Sequence, residues 1–139
     1  FELERSVLLE GIRTWTTRYE GYAFNEEDED SIERDMKELF TAPEKTVYVI
    51  HTPPYNTNLD MAYGGHHVGS LAVRMAIEDY RPLMTLHGHI HETEEVSGDY
   101  VDRIKDTICA SAANHNTLAA ASVLEVHLPS RSVKRLKLD

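Results

Sequence analysis

A chain of 139 residues is long enough to bury roughly two-thirds of the surface that its unfolded form exposes, and too short for two ordinary domains. With 41% hydrophobic and 27% charged residues it sits near the soluble globular average, which excludes wholesale disorder or a fibrous repeat. The formal charge of -10 repels polyanions and counts against direct electrostatic binding of duplex nucleic acid. No apolar run approaches the roughly 20 residues that a bilayer requires, and no signal-peptide pattern opens the chain. These features predict one soluble, cytoplasmic domain over residues 1–139. The lone Cys109 excludes an intrachain disulfide. Its surroundings, Thr107-Ile108-Cys109-Ala110, point to a buried, inert thiol rather than a nucleophile.

In chain order, the first 23 residues stay open between helix and strand. Leu3, Val7, Ile12, Trp15, Tyr19 and Tyr22 fit helical spacing, whereas Thr14 to Thr17 and the aromatics favour extension. The chain begins at Phe1 without an initiator methionine, and the expectation is a piece of a longer protein. The acidic run Glu26 to Asp30 reads as a solvated loop. Asp30 then caps a helix whose face is Ile32, Met36, Leu39 and Phe40, running through residue 40 and ended by Pro43. Thr46 to Ile50 is a nearly continuous β-branched and aromatic run, predicted to be a strand buried on both faces with His51 at its end.

A loop with Pro53, Pro54, Gly64, Gly65 and Gly69 follows. Asn56, Asn58 and Asp60 alternate in it, but the glycine and terminal glutamate of a calcium loop are missing, so a turn-rich lid is predicted. Ser70 then caps a helix with Val73, Met75 and Ile77 on its apolar face, ending before Pro82. A second buried strand over about 83–86 runs into His87-Gly88-His89-Ile90-His91. The alternation predicts an α/β layer with both histidine-bearing loops at strand carboxyl ends, where such sheets place ligands. Downstream, strands are predicted over 106–112, 119–128 and 133–138, the last two joined as a hairpin across Pro129-Ser130-Arg131-Ser132. Lys134, Arg135 and Lys137 would protect an exposed edge from pairing.

Eight histidines are present, and imidazole is a common ligand of divalent ions. His89 and His91, two residues apart at a strand end, can project to one side, while Gly88 leaves room for a tight turn. His87 is expected to support its neighbours or pack rather than ligate. His127 is expected to be structural, and His115 to lie at the end of the 106–112 strand, where it could approach the site.

The strings Val49-Ile50-His51-Thr52-Pro53-Pro54 and Gly88-His89-Ile90-His91 resemble the final motifs of the calcineurin-like metallophosphoesterases. Gly65-His66-His67-Val68-Gly69-Ser70 with Arg74, and Pro82 through Glu92, are similar to one microbial branch of that superfamily, so that the likeness extends over roughly 30–115. The resemblance implies an α/β fold that is part of an α/β/β/α sandwich. It also implies hydrolysis of phosphomonoesters or phosphodiesters at two divalent metal ions (Mn, Fe, Zn or Ni), which clamp the phosphoryl group and supply hydroxide. His51 and His89 would bind one ion and His91 the other. His67, Ser70 and Arg74 would contact a small phosphate-ester substrate, although the residues themselves leave a solvated His67 equally open and favour a surface ion pair for Arg74.

The family's upstream Asp-x-His, Gly-Asp and Gly-Asn-His motifs do not precede His51, and Asn114-His115-Asn116 falls in the wrong order. The chain thus reads as a carboxyl-terminal half with the amino-terminal half of the fold missing. Three imidazoles for two ions are fewer than catalytic sites use, so the fragment alone is expected to be inactive. Exposed sheet would favour a homo-oligomer or the absent half as partner. The alternative is a non-catalytic metal-binding or interaction module.

Overall fold

The computed structural model describes residues 32–114 and 121–138. The expectations for residues 1–31, including the acidic loop and the Asp30 cap, lie outside the described residues, as does His115. Helix α1 (Ile32–Leu39) is followed by a single 3-10 turn at Pro43–Lys45 and strand β1 (Val47–Val49). A long loop carries the two-residue strands β2 (Met61–Ala62) and β3 (His66–His67), then come α2 (Leu71–Tyr80) and β4 (Met84–His87). Short helix α3 (Thr93–Ser97), β5 (Val101–Ile104) and β6 (Thr107–Ser111) complete the layer, and β7 (Ala121–His127) with β8 (Ser132–Leu138) forms a hairpin.

The fold is mixed α/β. Its four-stranded sheet has the order β1-β4-β6-β5, parallel except for β5, which runs antiparallel to β6. Parallel neighbours need a crossover, and α2 supplies the one between β1 and β4. Ser70 starts that helix by accepting from the Val73 N–H at 3.2 Å, and Arg81 ends it in the left-handed region, one residue before Pro82. Val73 and Ile77 pack with Leu59, Ile104 and Cys109, while Met36 and Phe40 of α1 pack with Ala76, Tyr48 and Ile50. Both helices therefore cover the same sheet face. Phe40 stacks on Tyr48 at 4.2 Å between ring centres.

Several expectations need correction. Val49 is 80% exposed. β1 ends the described sheet, so it has a strand neighbour on one side only, and β4, flanked on both sides, is the strand with the continuous burial. Met75 and Leu39, placed on apolar faces by spacing, are exposed, and Ala72 and Ala76 take the buried face of α2 instead. The predicted 106–112 strand is β6 (Thr107–Ser111), but its partner β5, the hairpin β2–β3 and helix α3 were not foreseen. Arg135 does not guard an edge. Its guanidinium donates to the Ala112 carbonyl at 2.7 Å and the Ala113 carbonyl at 3.1 Å, and pairs with Glu94 at 3.2 Å, fastening the hairpin to the sheet. Lys134 and Lys137 are exposed.

The loop after β1 is organised by a buried carboxylate. Asp60 is fully buried and accepts from the N–H groups of Asn56 at 3.0 Å, Thr57 at 2.9 Å and Gly69 at 3.0 Å, and from His67 Nδ1 at 2.7 Å. Three backbone donors satisfy a charge that burial would otherwise make costly. Of the alternating residues, Asp60 gives this clasp its carboxylate and Asn56 its backbone N–H, whereas the Asn58 N–H donates to Asp102 at 2.8 Å. Gly69 is required by close approach, because a β-carbon there would lie 2.6 Å from the Pro53 oxygen and 2.8 Å from Asp60 Cβ. Gly69→Ala is therefore expected to destabilise the protein by about 1–3 kcal/mol, the usual penalty of overpacking, read from urea unfolding. An unchanged midpoint would show that this approach is not rigid.

Candidate metal-binding and phosphoester site

The site begins as a continuation of the β1–β4 ladder. Beyond the strand ends, the Ile50 N–H donates to the Leu86 carbonyl at 2.9 Å and the Gly88 N–H donates to the His51 carbonyl at 2.9 Å. Within the strands Val49 stands opposite Leu86, and the same register carries His51 to Gly88. His51 and His89 are thereby delivered to the same sheet end. His89 Nδ1 lies 3.2 Å from His51 Nε2, with ring centres 5.0 Å apart and planes at 73°.

Two local features make this approach possible. A β-carbon on Gly88 would sit 3.3 Å from His51 Nδ1, so glycine leaves the space that the His51 ring occupies. The left-handed residue at this turn is His89 itself, with φ 67°, rather than Gly88. A non-glycine residue held there carries a backbone cost, one that six other described residues, such as Ala42 and Arg81, also carry.

His87 fixes the backbone on both sides of His51. Its Nδ1 is 2.9 Å from the Ile50 carbonyl and 3.1 Å from the Thr52 carbonyl, and its Nε2 is 2.8 Å from Thr85 Oγ1. Carbonyls only accept, so Nδ1 carries the proton and Nε2 accepts from the threonine hydroxyl. Burial pushes this imidazole down to about 4, against the opposing pull of the Thr52 and Ile50 carbonyls. His87 accordingly supports and packs, as its position before the motif suggests. Cys109 is fully buried, and burial pushes its thiol up to about 11, so the thiolate is scarce.

His91 is exposed. The Ile90 N–H donates to the Gly88 carbonyl at 2.8 Å and Ile90 is 2% exposed, so the chain turns between His89 and His91 and the alternation of an extended strand does not apply. No group of three or more His, Cys, Asp or Glu side chains able to hold a metal ion occurs among the described residues. The structure brings His51 and His89 together without adding His91 as a third member.

The candidate substrate contacts have definite partners. Ser70 Oγ caps α2, and His67 pairs with Asp60. Arg74 bonds Glu78 at 2.9 Å and donates to the Tyr55 and Asn56 carbonyls, each at 2.9 Å, holding the loop after His51. His66 is exposed, and His127 Nδ1 meets Ser130 Oγ across the hairpin turn at 2.6 Å. Sequence reasoning missed Asp60 as the clasp and Thr93 as a second one. Thr93 is fully buried, donates to the Asn58 carbonyl at 2.7 Å and accepts from the Met61 N–H at 3.0 Å. Only the spacing Thr57-x-x-Asp60 hinted at such a turn.

No protein-family model matches the chain, and no curated protein matches it. A solved crystal structure is similar in fold, with a TM-score of 0.56 and 20% identity, covering 76% of this chain. This chain spans 37% of that solved chain. Among the described residues no helix is long and apolar enough to cross a membrane.

The depressed His87 makes a pH prediction. The unfolded imidazole takes up a proton near pH 6.5, the folded one only near 4, so the unfolded chain binds more protons in between. Stability from this group is full above pH 6.5 and is lost as pH falls toward 4, by up to about 3 kcal/mol. Urea midpoints measured across that window are expected to fall, and to fall less steeply in His87→Asn, whose amide nitrogen stands where Nδ1 does and can donate to the same carbonyls without titrating. Parallel slopes for the two proteins would contradict this.

Proposed function

We propose that the chain belongs to a metal-dependent phosphoesterase, hydrolysing phosphomonoesters or phosphodiesters, in which His51 and His89 share one divalent ion. The observation that carries this reading is the 3.2 Å between His89 Nδ1 and His51 Nε2. Two imidazole nitrogens each about 2.0–2.1 Å from one ion stand about 3.3 Å apart at a tetrahedral angle. The ring pair already has the spacing of two ligands, at a strand end where open α/β sheets place their chemistry.

On this reading His87 is the group that holds His51 in place, and His91, the next histidine along, serves a second ion. A pair of divalent ions supplies charge stabilisation at the phosphoryl group and a strong oxygen nucleophile near neutral pH. Two imidazoles are fewer than the three protein ligands typical of catalytic zinc, so the proposed centre draws further donors from outside the described residues. The described layer is then one part of an α/β/β/α sandwich. The substrate is a small phosphate ester. A second reading, a non-catalytic module holding a single ion at the same ring pair, draws on the convergence of two imidazoles rather than three.

Turnover separates the two. The full-length protein with manganese and 4-nitrophenyl phosphate is expected to show metal-dependent hydrolysis. Disturbing groups behind a ligand already costs about 10–100-fold, so His89→Ala is expected to lose at least about 100-fold. Absent turnover, or a His89→Ala variant as active as the wild type, removes the phosphoesterase reading. Stoichiometric binding of one ion without hydrolysis would favour the module.

A further inference from the structure

We propose that Thr85, in the middle of β4, is a positioning residue for the ion shared by His51 and His89: its hydroxyl fixes the plane of the His87 ring, and that ring holds the backbone on both sides of His51. This rests on the metal-site reading and adds to it a residue one ring removed from the ligands.

Thr85 is fully buried, and its strand β4 lies between β1 and β6. A hydroxyl taken out of water there is costly unless it is bonded, and valine would present the same branched outline without one. The bond it makes is to His87, with Oγ1 2.8 Å from Nε2. The other nitrogen of the ring, Nδ1, faces the Ile50 carbonyl at 2.9 Å and the Thr52 carbonyl at 3.1 Å. Carbonyls only accept, so the ring proton is on Nδ1, Nε2 offers a lone pair, and the hydroxyl proton is directed to it. The Cys109 thiol stands beside the hydroxyl across the ladder, but its sulfur is a weak acceptor and does not compete with an imidazole nitrogen.

The ring is thus pinned at two opposite nitrogens, one to the chain leaving β1 and one to β4 itself. A ring held only at Nδ1 is free to pivot about that atom, and the fork to two carbonyls closes in one orientation of the N–H. Three successive carbonyls, those of Ile50, His51 and Thr52, accept from the β4 side. The first and third accept from the ring, the second from the Gly88 N–H at 2.9 Å. If the ring tilts, only the Gly88 bond is left to set the peptide groups around His51. Metal–nitrogen distances hold to within about 0.2 Å, so a small drift of His51 from its 3.2 Å approach to His89 is enough to weaken an ion held by both.

The test is the zinc affinity of the full-length protein, read by competition with a chromophoric chelator, for the wild type, Thr85→Val and Thr85→Ser. Valine keeps the branched shape and drops the hydroxyl, whereas serine keeps the hydroxyl and drops the methyl. Thr85→Val is expected to weaken zinc binding by about 10-fold, the lower end of what changes behind a ligand cost. Thr85→Ser is expected to bind as the wild type does, although the lost methyl lowers its stability. Equal affinity of Thr85→Val and the wild type overturns the proposal alone. So does equal weakening in both variants, which is what a packing defect would give. A wild type that binds no zinc removes the ring-pair reading with it. In the metal-free protein, long-range ¹H–¹⁵N NMR is expected to find the His87 proton on Nδ1, and the Nε2 resonance displaced in Thr85→Val. A wild-type proton on Nε2, or an Nε2 resonance that valine leaves in place, overturns the assignment.

Discussion

The arrangement of the site depends on the parallel ladder between β1 and β4 continuing past the ends of both strands. Two backbone bonds, from Ile50 to Leu86 and from Gly88 to His51, keep the chains in register where loops would ordinarily diverge. The buried His87 ring locks that extension by bonding to the carbonyls on either side of His51. Without it those carbonyls would lack a buried donor, and a buried acceptor left unpaired costs about 1–3 kcal/mol. The same histidine therefore serves stability and geometry at once. It resists protonation because it is dry, and it orients His51 because its own tautomer is fixed.

Around that ladder polar side chains act as clasps on the loops, beside the apolar clusters that hold the helices to the sheet. Asp60 gathers the loop after His51, Thr93 joins that loop to α3, and Arg135 ties the terminal hairpin to the end of β6 and to Glu94. Each clasp satisfies backbone groups that an irregular segment leaves over, which a loop packed on a sheet end must do in some way. The cost is paid in sequence freedom, as at Gly69, where no β-carbon fits.

Much of the layer was legible in the residues. The Ser70 cap, the stop before Pro82, the strand leading into His87 and the closing hairpin all carry strong local signals, and each forms close to where the pattern places it. Burial was less legible, because it depends on sheet order. A β-branched run such as Val47 to Val49 looks alike in the middle of a sheet and at its edge, and only pairing reveals that Val49 is exposed. The short elements β2, β3 and α3 hold few residues and owe their shape to Asp60 and Thr93, so no periodicity announces them. For the site, the strand-end rule correctly brought His51 and His89 to one place. At His91 the alternation of an extended strand does not hold, since His89 leaves the extended region and the chain bends at once.

The doubly bonded Thr93 hydroxyl has a mechanical consequence. Together with the hydrogen bond from Tyr63 to Glu95, it joins the segment after His51 to the helix after His91. The two loops that leave the sheet end are thus tied to one another as well as to the strands, and prolines 53 and 54 further restrict the first of them.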